Sequence, residues 1–179
     1  MIPRIPVDKE LTRMIEVYLQ THNLGSRGYE DGDPGNQKVG LIGELIVYKY
    51  LTGSYPNLNG RADGFDGGYD IQFRNKRIDV KTMERKTYAK PGFVNNFYLL
   101  QESHKAEIIV FCSYHSRDNV LEICGWLPKN ELSKRGVYYA AGTKRIRTNG
   151  SSFVFRQNNY EVENKDLDSI DSLKAISNF

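Results

Sequence analysis

A predicted helix that is apolar on almost every side constrains the fold of this chain more than any other segment. It begins at Asp33-Pro34, where an aspartate can cap a helix whose first residue is proline, and it ends near Leu51, before Gly53. Its apolar residues are Val39, Leu41, Ile42, Leu45, Ile46, Val47, Tyr48, Tyr50 and Leu51. A helix without a wide polar face is buried on folding, so other elements must cover it from several sides.

The hydrophobic period changes to two after residue 69, which predicts a β-hairpin with a turn at residues 74–77. The alternating apolar residues are Ile71, Phe73, Ile78 and Val80. If Asp70 lies opposite Lys81 and Gln72 opposite Asp79, all four apolar side chains fall on the core side. Asp70, Asp79 and Lys81 then share the other face, with the two aspartates as diagonal neighbours.

The remaining elements predict one mixed α/β (α+β) domain, with strands and helices alternating irregularly. The 179 residues suffice for a single hydrophobic core. The predicted elements are a helix over Val7–Gln20, strands over Ile108–His115 and Val120–Leu127, a short helix after Pro128, a hairpin of Ser151–Phe155 with Asn159–Val162, and a helix from Leu167.

Composition predicts an intracellular, cytoplasmic protein. The longest mainly apolar run, Ile108 to Cys112, is far shorter than the ~20 residues of a membrane span, and no hydrophobic leader follows Met1. Membrane association is therefore not expected. Cys112 and Cys124 have no metal-binding spacing, and we expect two buried free thiols.

Glu44 is the one carboxylate inside the most apolar part of the predicted buried helix. An unpaired ionised carboxylate there would cost several kcal/mol. Gly40 and Gly43, which have no side chains, would let another element or a cation approach closely. Together with Asp70, Asp79 and Lys81, Glu44 gives a group of net charge −2, which suits one or two hard divalent cations with oxygen ligands.

These residues, in this order, resemble the PD-(D/E)xK, restriction-endonuclease-like nuclease superfamily. The resemblance consists of a helix glutamate, then Gly67-Gly68-Tyr69-Asp70-Ile71, then Ile78-Asp79-Val80-Lys81-Thr82. It continues through Ala106–Phe111 and Gly125–Lys129 and covers a core of about residues 36–129, with 130–179 as a C-terminal extension of the same domain. Tyr69 stands where the superfamily name has proline.

The resemblance implies a central mixed β-sheet flanked by helices, with an active site on the hairpin and the buried helix. It implies a Mg²⁺ ion, for which Mn²⁺ substitutes, held by Asp70, Asp79, the carbonyl of Val80 and Glu44. Lys81 would orient a metal-activated water and stabilise charge on the phosphate. The implied function is endonucleolytic cleavage of DNA. One such centre cuts one strand, which is compatible with a homodimer, and RNA stays open as a substrate.

Three further residues are candidate accessory groups. Gln72 shares the hairpin face with Asp79 and could contact the water shell of a metal or a phosphate. Gln101 lies in a segment where some superfamily members carry a site glutamine. Asp66, like Asp63 in the same loop, could replace Asp70 as a ligand if the first strand begins earlier.

Two basic stretches predict where a polyanion would bind. Residues 74–90 contain seven basic and two acidic residues, and residues 129–147 contain six basic and one acidic, so each has a local charge of +5. The candidate DNA-contacting residues are Arg74, Lys76, Arg77, Arg85, Lys86, Lys144, Arg145 and Arg147.

Three alternatives to a restriction-type endonuclease stay open from the sequence. The first is a junction or repair nuclease with the same centre. The second is a nucleic-acid-binding module that keeps the nuclease fold without turnover. The third is a purely structural α/β domain whose acidic residues coincide by chance.

Overall fold

The buried helix and the hairpin both form in the structure, a computed structural model that describes residues 1–21, 34–58, 68–101, 104–147 and 150–176. The helices and strands of these residues are β1 (Arg4–Pro6), α1 (Lys9–Thr21), α2 (Pro34–Thr52), β2 (Ile71–Phe73), β3 (Lys76–Arg85), β4 (Val94–Tyr98), β5 (Ile108–His115), β6 (Val120–Pro128), α3 (Leu132–Arg135), β7 (Val137–Tyr139), β8 (Lys144–Ile146), β9 (Ser152–Val154), β10 (Asn159–Glu163) and α4 (Ile170–Ala175).

A five-stranded mixed sheet with the order β1-β6-β5-β3-β2 forms the centre of the domain. β3 and β5 are parallel, and the other neighbours are antiparallel. Helices α1, α2 and α4 contribute to the main hydrophobic core on one face, with the apolar side chains of the sheet packed against them. The predicted mixed α/β class with a mixed central sheet is confirmed.

The second face of the central sheet is covered by another sheet, which the sequence did not predict. This sheet has three strands in the order β4-β10-β7. A second core between the two sheets contains Phe97, Ile109, Phe111, Cys124, Leu127, Leu132 and Val162. Helices α1, α2 and α4 therefore flank one face, and strands from both sides of residue 129, together with Leu132 of helix α3, build the cover on the other.

The predicted pairing of residues 151–155 with 159–162 is wrong. β9 pairs with β8, whereas β10 lies between β4 and β7. The β8–β9 connection contains Gly150, whose φ of +81° suits a tight turn, and Gly150 N–H donates to the Arg147 carbonyl (2.9 Å). Val162 of β10 is fully buried in the second core between the two sheets.

The other sequence expectations for the core elements are confirmed. The first helix, the two long strands and the short helix after Pro128 all lie where predicted, although the C-terminal helix begins three residues later than expected. Cys112 and Cys124 are free and buried. Within the described residues, no helix combines the length and apolarity that crossing a membrane requires.

Candidate metal-dependent site

The close approach of helix α2 to strand β3 explains Gly43 but, against the expectation from the sequence, not Gly40. A Cβ atom on Gly43 would lie 1.8 Å from the Thr82 hydroxyl oxygen, so only glycine fits there, whereas Gly40 has open space around it. Glu44 follows Gly43 and is half-buried. The contact between Gly43 and Thr82 therefore determines the position of Glu44 relative to strand β3.

The hairpin turn is shorter than predicted, and the strand register changes accordingly. Only Arg74 and Asn75 form the turn, with φ of 45° and 61°, the left-handed values of a two-residue hairpin turn. Gln72 lies opposite Arg77 rather than Asp79. The pairing is shifted by two residues from the predicted one, and because a shift of two preserves the alternation of faces, Asp79 and Lys81 still share a face.

Asp70 lies just before β2 and is held to the neighbouring strand by two hydrogen bonds. Its N–H donates to the Ile78 carbonyl (2.8 Å), and its Oδ2 accepts from the Val80 N–H at 2.6 Å. Gly68 leads into this position with φ of +92°, and a Cβ there would lie 2.9 Å from His104 Cβ. The glycine thus lets the chain turn toward Asp70 against the segment at residue 104.

Asp79 and Lys81 form an ion pair on the face of β3 that looks toward the second sheet. The Lys81 Nζ lies 2.8 Å from Asp79 Oδ1, and the Asp79 side chain is only 7% exposed. Their neighbours on β5 are Ile109 and Phe111, which are buried and apolar. An apolar wall beside the pair strengthens its electrostatic interactions relative to water.

Glu44, Asp79 and Lys81 all lie within electrostatic range of Asp70. Burial raises the pKa of Asp70 well above its ordinary value, and the negative charges of Glu44 and Asp79 raise it further. The Lys81 ammonium and the Val80 N–H oppose this rise. The excess of negative charge in a buried place is what a bound cation would relieve.

The donor set fits a hard cation that keeps part of its water shell. Within the described residues, no three His, Cys, Asp or Glu side chains are arranged to hold a metal ion by themselves. Mg²⁺ at phosphoryl-transfer sites is bound through only one or two carboxylates together with waters and substrate phosphates. Asp70 and Asp79 can supply two carboxylates, and Glu44 is the additional acid beside them. The expected Val80 carbonyl ligand stays a prediction.

Replacing Asp70 with asparagine should stabilise the metal-free protein. The amide keeps an acceptor for Val80 N–H and removes a charge that Glu44 and Asp79 repel. A gain of about 1 kcal/mol corresponds to a rise in Tm of roughly 2–4 °C.

The gain in stability of the Asp70→Asn variant should depend on pH. Thermal unfolding in EDTA at several pH values measures it. Because the folded-state pKa of Asp70 is raised, its stabilising contribution is present below about pH 4 and is lost as pH rises through that raised pKa. The Asp70→Asn advantage should therefore be small at pH 4 and larger at neutral pH. A variant equally or less stable than wild type at pH 7 would contradict the electrostatic account.

The basic residues of the hairpin are partly engaged within the fold. Arg74 donates to the carbonyls of Lys174 (2.6 Å) and Ile176 (2.8 Å). Lys76 and Arg77 both pair with Glu107, at 3.3 and 3.4 Å. The prediction that these basic residues contact DNA did not include Glu107. This residue lies thirty positions away in the sequence, and only the parallel pairing of β3 with β5 brings it near.

The other predicted DNA contacts divide into inward and outward residues. Arg85 donates to Ser113 Oγ (3.0 Å) and to the Val94 carbonyl (2.5 Å), so its guanidinium is used within the fold. Arg145 pairs with the buried Glu161 at 3.1 Å. The outward residues are Lys86, Lys144 and Arg147.

The three accessory candidates lie in different surroundings. Gln72 is exposed on the hairpin face that also carries Arg77. Gln101 ends a 3₁₀ turn, and its Oε1 is buried with no hydrogen-bond partner among the described residues. Asp66, like Asp63, lies outside the described residues.

A cavity of about 620 Å³ lies near the ends of the two sheets, apart from the candidate site. Lys76, Phe97, Glu107, Trp126 and Tyr160 are among its lining residues, but none of the four predicted catalytic residues is. This cavity and the candidate site are therefore lined by different residues.

Comparison with known proteins found no match to this chain among family models, curated proteins or solved structures.

Proposed function

We propose that this chain is a Mg²⁺-dependent phosphodiesterase with a restriction-endonuclease-like fold, which cleaves DNA as an endonuclease. The observation that carries the proposal is the environment of Asp70, a buried carboxylate whose pKa is raised by burial and by the charges of Glu44 and Asp79. Lys81 is placed on Asp79 in the same group. Acidic ligands beside one ordered ammonium are the parts that metal-assisted hydrolysis of a phosphodiester needs.

In this proposal, Asp70 and Asp79 hold the metal, with Glu44 adding negative charge beside them. The metal, when bound, lowers the pKa of the attacking water. Lys81 would turn from Asp79 toward the scissile phosphate, where its ammonium orients the water and stabilises the charge on the phosphoryl oxygens. The water oxygen forms a bond to phosphorus as the bond to the leaving oxygen breaks, and a proton ends on that oxygen.

A binding module without turnover is the second candidate, and one contact favours it. The ammonium of Lys81 lies 2.8 Å from Asp79 Oδ1 and so occupies an oxygen that a metal would use. A protein that only binds DNA would keep this pair closed. A nuclease would open it when metal and substrate arrive.

The test is cleavage of supercoiled plasmid and linear DNA by the wild-type protein with Mg²⁺, with Mn²⁺ or with EDTA. The proposed nuclease nicks or linearises the closed circle with either metal and is silent in EDTA. Tight DNA binding with no cleavage in either metal would favour the binding module instead. Cleavage that proceeds in EDTA would exclude both proposals.

Removing the charge of Glu107 should strengthen DNA binding. Glu107→Gln frees Lys76 and Arg77 from their shared carboxylate, so both could contact phosphates. We expect affinity for a DNA duplex to rise about threefold and the dependence of log K on log salt to steepen by about one to two. Fluorescence anisotropy across a salt series measures both.

Glu131→Gln is the matched control for this experiment. It removes the same charge from a carboxylate of similar exposure, whose partner, at 2.6 Å, is Arg135 and not a hairpin cation. Equal gains from Glu107→Gln and Glu131→Gln would mean that only net charge matters and that the hairpin is not a contact surface.

A further inference from the structure

The β8–β9 ribbon presents an apolar pair to solvent on its outer face. Its cross-strand pairs are Lys144 with Val154, Arg145 with Phe153, and Ile146 with Ser152. Ile146 is 62% exposed and Val154 is 53% exposed. Two β-branched apolar side chains are therefore diagonal neighbours on a two-stranded ribbon whose outer face nothing in the described chain covers.

The inner face of the ribbon is fixed to the domain. Arg145 pairs with the buried Glu161 of β10 at 3.1 Å and lies 5.5 Å from the centre of the Tyr139 ring. Phe153 packs edge-to-face on Phe155, which stacks on Tyr139 at 4.9 Å. The inner face of the ribbon is thus packed on the domain, while its outer side chains are exposed to solvent.

The charge of the ribbon is entirely positive. Between Glu131 and Glu161 the sequence contains six Lys or Arg residues and no acid. Lys144 is exposed beside the apolar pair, and the exposed Arg147 stacks over the Phe153 ring at 4.7 Å. A surface that combines exposed cations with apolar side chains and lacks acids complements a polyanion that also offers apolar contacts.

The ribbon lies on the side of the central sheet that carries Asp79 and Lys81. Arg85, at the end of β3, donates to the Val94 carbonyl of β4, and β4 pairs with β10, to which the ribbon is anchored. Burial lowers the pKa of Arg85 most, and the positive charge of Arg147 lowers it further, so these two side chains are near each other. From Lys81 to Arg85 the strand extends about 13 Å.

We propose that the β8–β9 ribbon enters the major groove of B-form DNA, with Ile146 and Val154 against the base edges and Lys144 and Arg147 on the phosphates. The major groove, about 12 Å wide, admits a two-stranded ribbon. The inference rests on the proposed function, because that function supplies the duplex.

The same geometry selects against other nucleic acids. The major groove of A-form RNA is too deep and narrow for such a ribbon. A single strand has no groove for the apolar pair and would contact only the cations. Loss of the apolar pair should therefore weaken binding to duplex DNA and not to the other nucleic acids. Neither a general electrostatic patch nor a protein-docking surface would show this selective loss.

The test compares the full-length wild-type protein with the Ile146→Ser/Val154→Ser double variant by fluorescence anisotropy in EDTA, where metal-dependent cleavage does not occur. The probes are a 30-base-pair DNA duplex, one of its strands, and an RNA duplex of the same sequence. We expect the double variant to lose affinity for the DNA duplex about tenfold, while its affinity for the other two probes changes less than twofold. Val17→Ser, at a 54% exposed valine of α1, is the control and should bind as wild type.

A charge variant measures the phosphate contacts of the ribbon independently. Lys144→Ala/Arg147→Ala should reduce the magnitude of the salt slope by about two, whereas the apolar variant should leave the slope unchanged. Unchanged duplex binding by the apolar variant, equal losses on all three probes, or wild-type binding that does not prefer DNA duplex would each overturn the inference. Because these readouts need no cleavage, they are separate from the plasmid assay of the proposed function.

Discussion

Replacing Lys81 with methionine is expected to lower the rate of DNA cleavage by about a thousandfold. Methionine keeps most of the side-chain volume but cannot donate to Asp79 or stabilise charge on a phosphate. The loss should be in the chemical step, so single-turnover cleavage with saturating protein is the measurement. DNA binding should change little, since the ammonium is mostly sheltered, with 21% of the side chain exposed.

Lys76→Met is the matched control, because it removes a lysine from the same strand at a place where the ammonium pairs with Glu107. This variant should cleave within about threefold of wild type. Thermal unfolding of both variants shows whether either has lost its fold. A Lys81→Met protein that is folded and cleaves at the Lys76→Met rate would remove Lys81 from the proposed mechanism.

Gly43→Ala should lower the free energy of unfolding more than a methyl group added at any other position of α2. The added Cβ would lie 1.8 Å from Thr82 Oγ1, so the helix must move away from β3. Overpacking of this kind costs about 3 kcal/mol, which lowers Tm by roughly 6–12 °C. Because Glu44 follows directly, cleavage should also fall in any molecules that remain folded, as measured below the transition.

Two further variants, Gly40→Ala and Thr82→Ala, show whether the contact with β3 causes the loss of stability in Gly43→Ala. Gly40 lies on the same helix with nothing within 4 Å of its added methyl group, so alanine there should raise stability by up to about 1 kcal/mol. Thr82→Ala removes the clashing oxygen and should restore part of the stability lost in Gly43→Ala. If the two glycine substitutions had equal effects, helix propensity rather than the contact with β3 would explain Gly43.

Periodicity alone was sufficient to predict the elements that carry the candidate site. Helix α2 is recognisable because its apolar residues surround Glu44, and the hairpin because its apolar residues alternate. The face shared by Asp79 and Lys81 was predicted correctly although the register was not. The alternation fixes which face a residue takes, but the choice between a two-residue and a four-residue turn depends on whether Arg74 and Asn75 accept left-handed φ values.

Contacts between distant segments could not be predicted from the local pattern. The strand β4 carries two asparagines, Asn95 and Asn96, which local propensity disfavours in a strand. Asn95 is nonetheless buried there because its amide donates to Asn164 Oδ1 and to the Val162 carbonyl. Such polar pairing becomes available only once the second sheet has assembled. The partners of the basic residues, Glu107 and Glu161, were missed for the same reason.

The most direct test of the central claim is the rate of plasmid nicking in Mg²⁺ by wild type and by an Asp70→Asn/Asp79→Asn double variant purified identically. Both proteins must first bind a DNA duplex in EDTA, so that any difference in nicking arises in the chemistry. The account predicts nicking by wild type and a loss of at least about a thousandfold in the double variant. Equal nicking by the two proteins would mean that the cleavage comes from another site or another protein, and would contradict a metal-dependent centre at this hairpin.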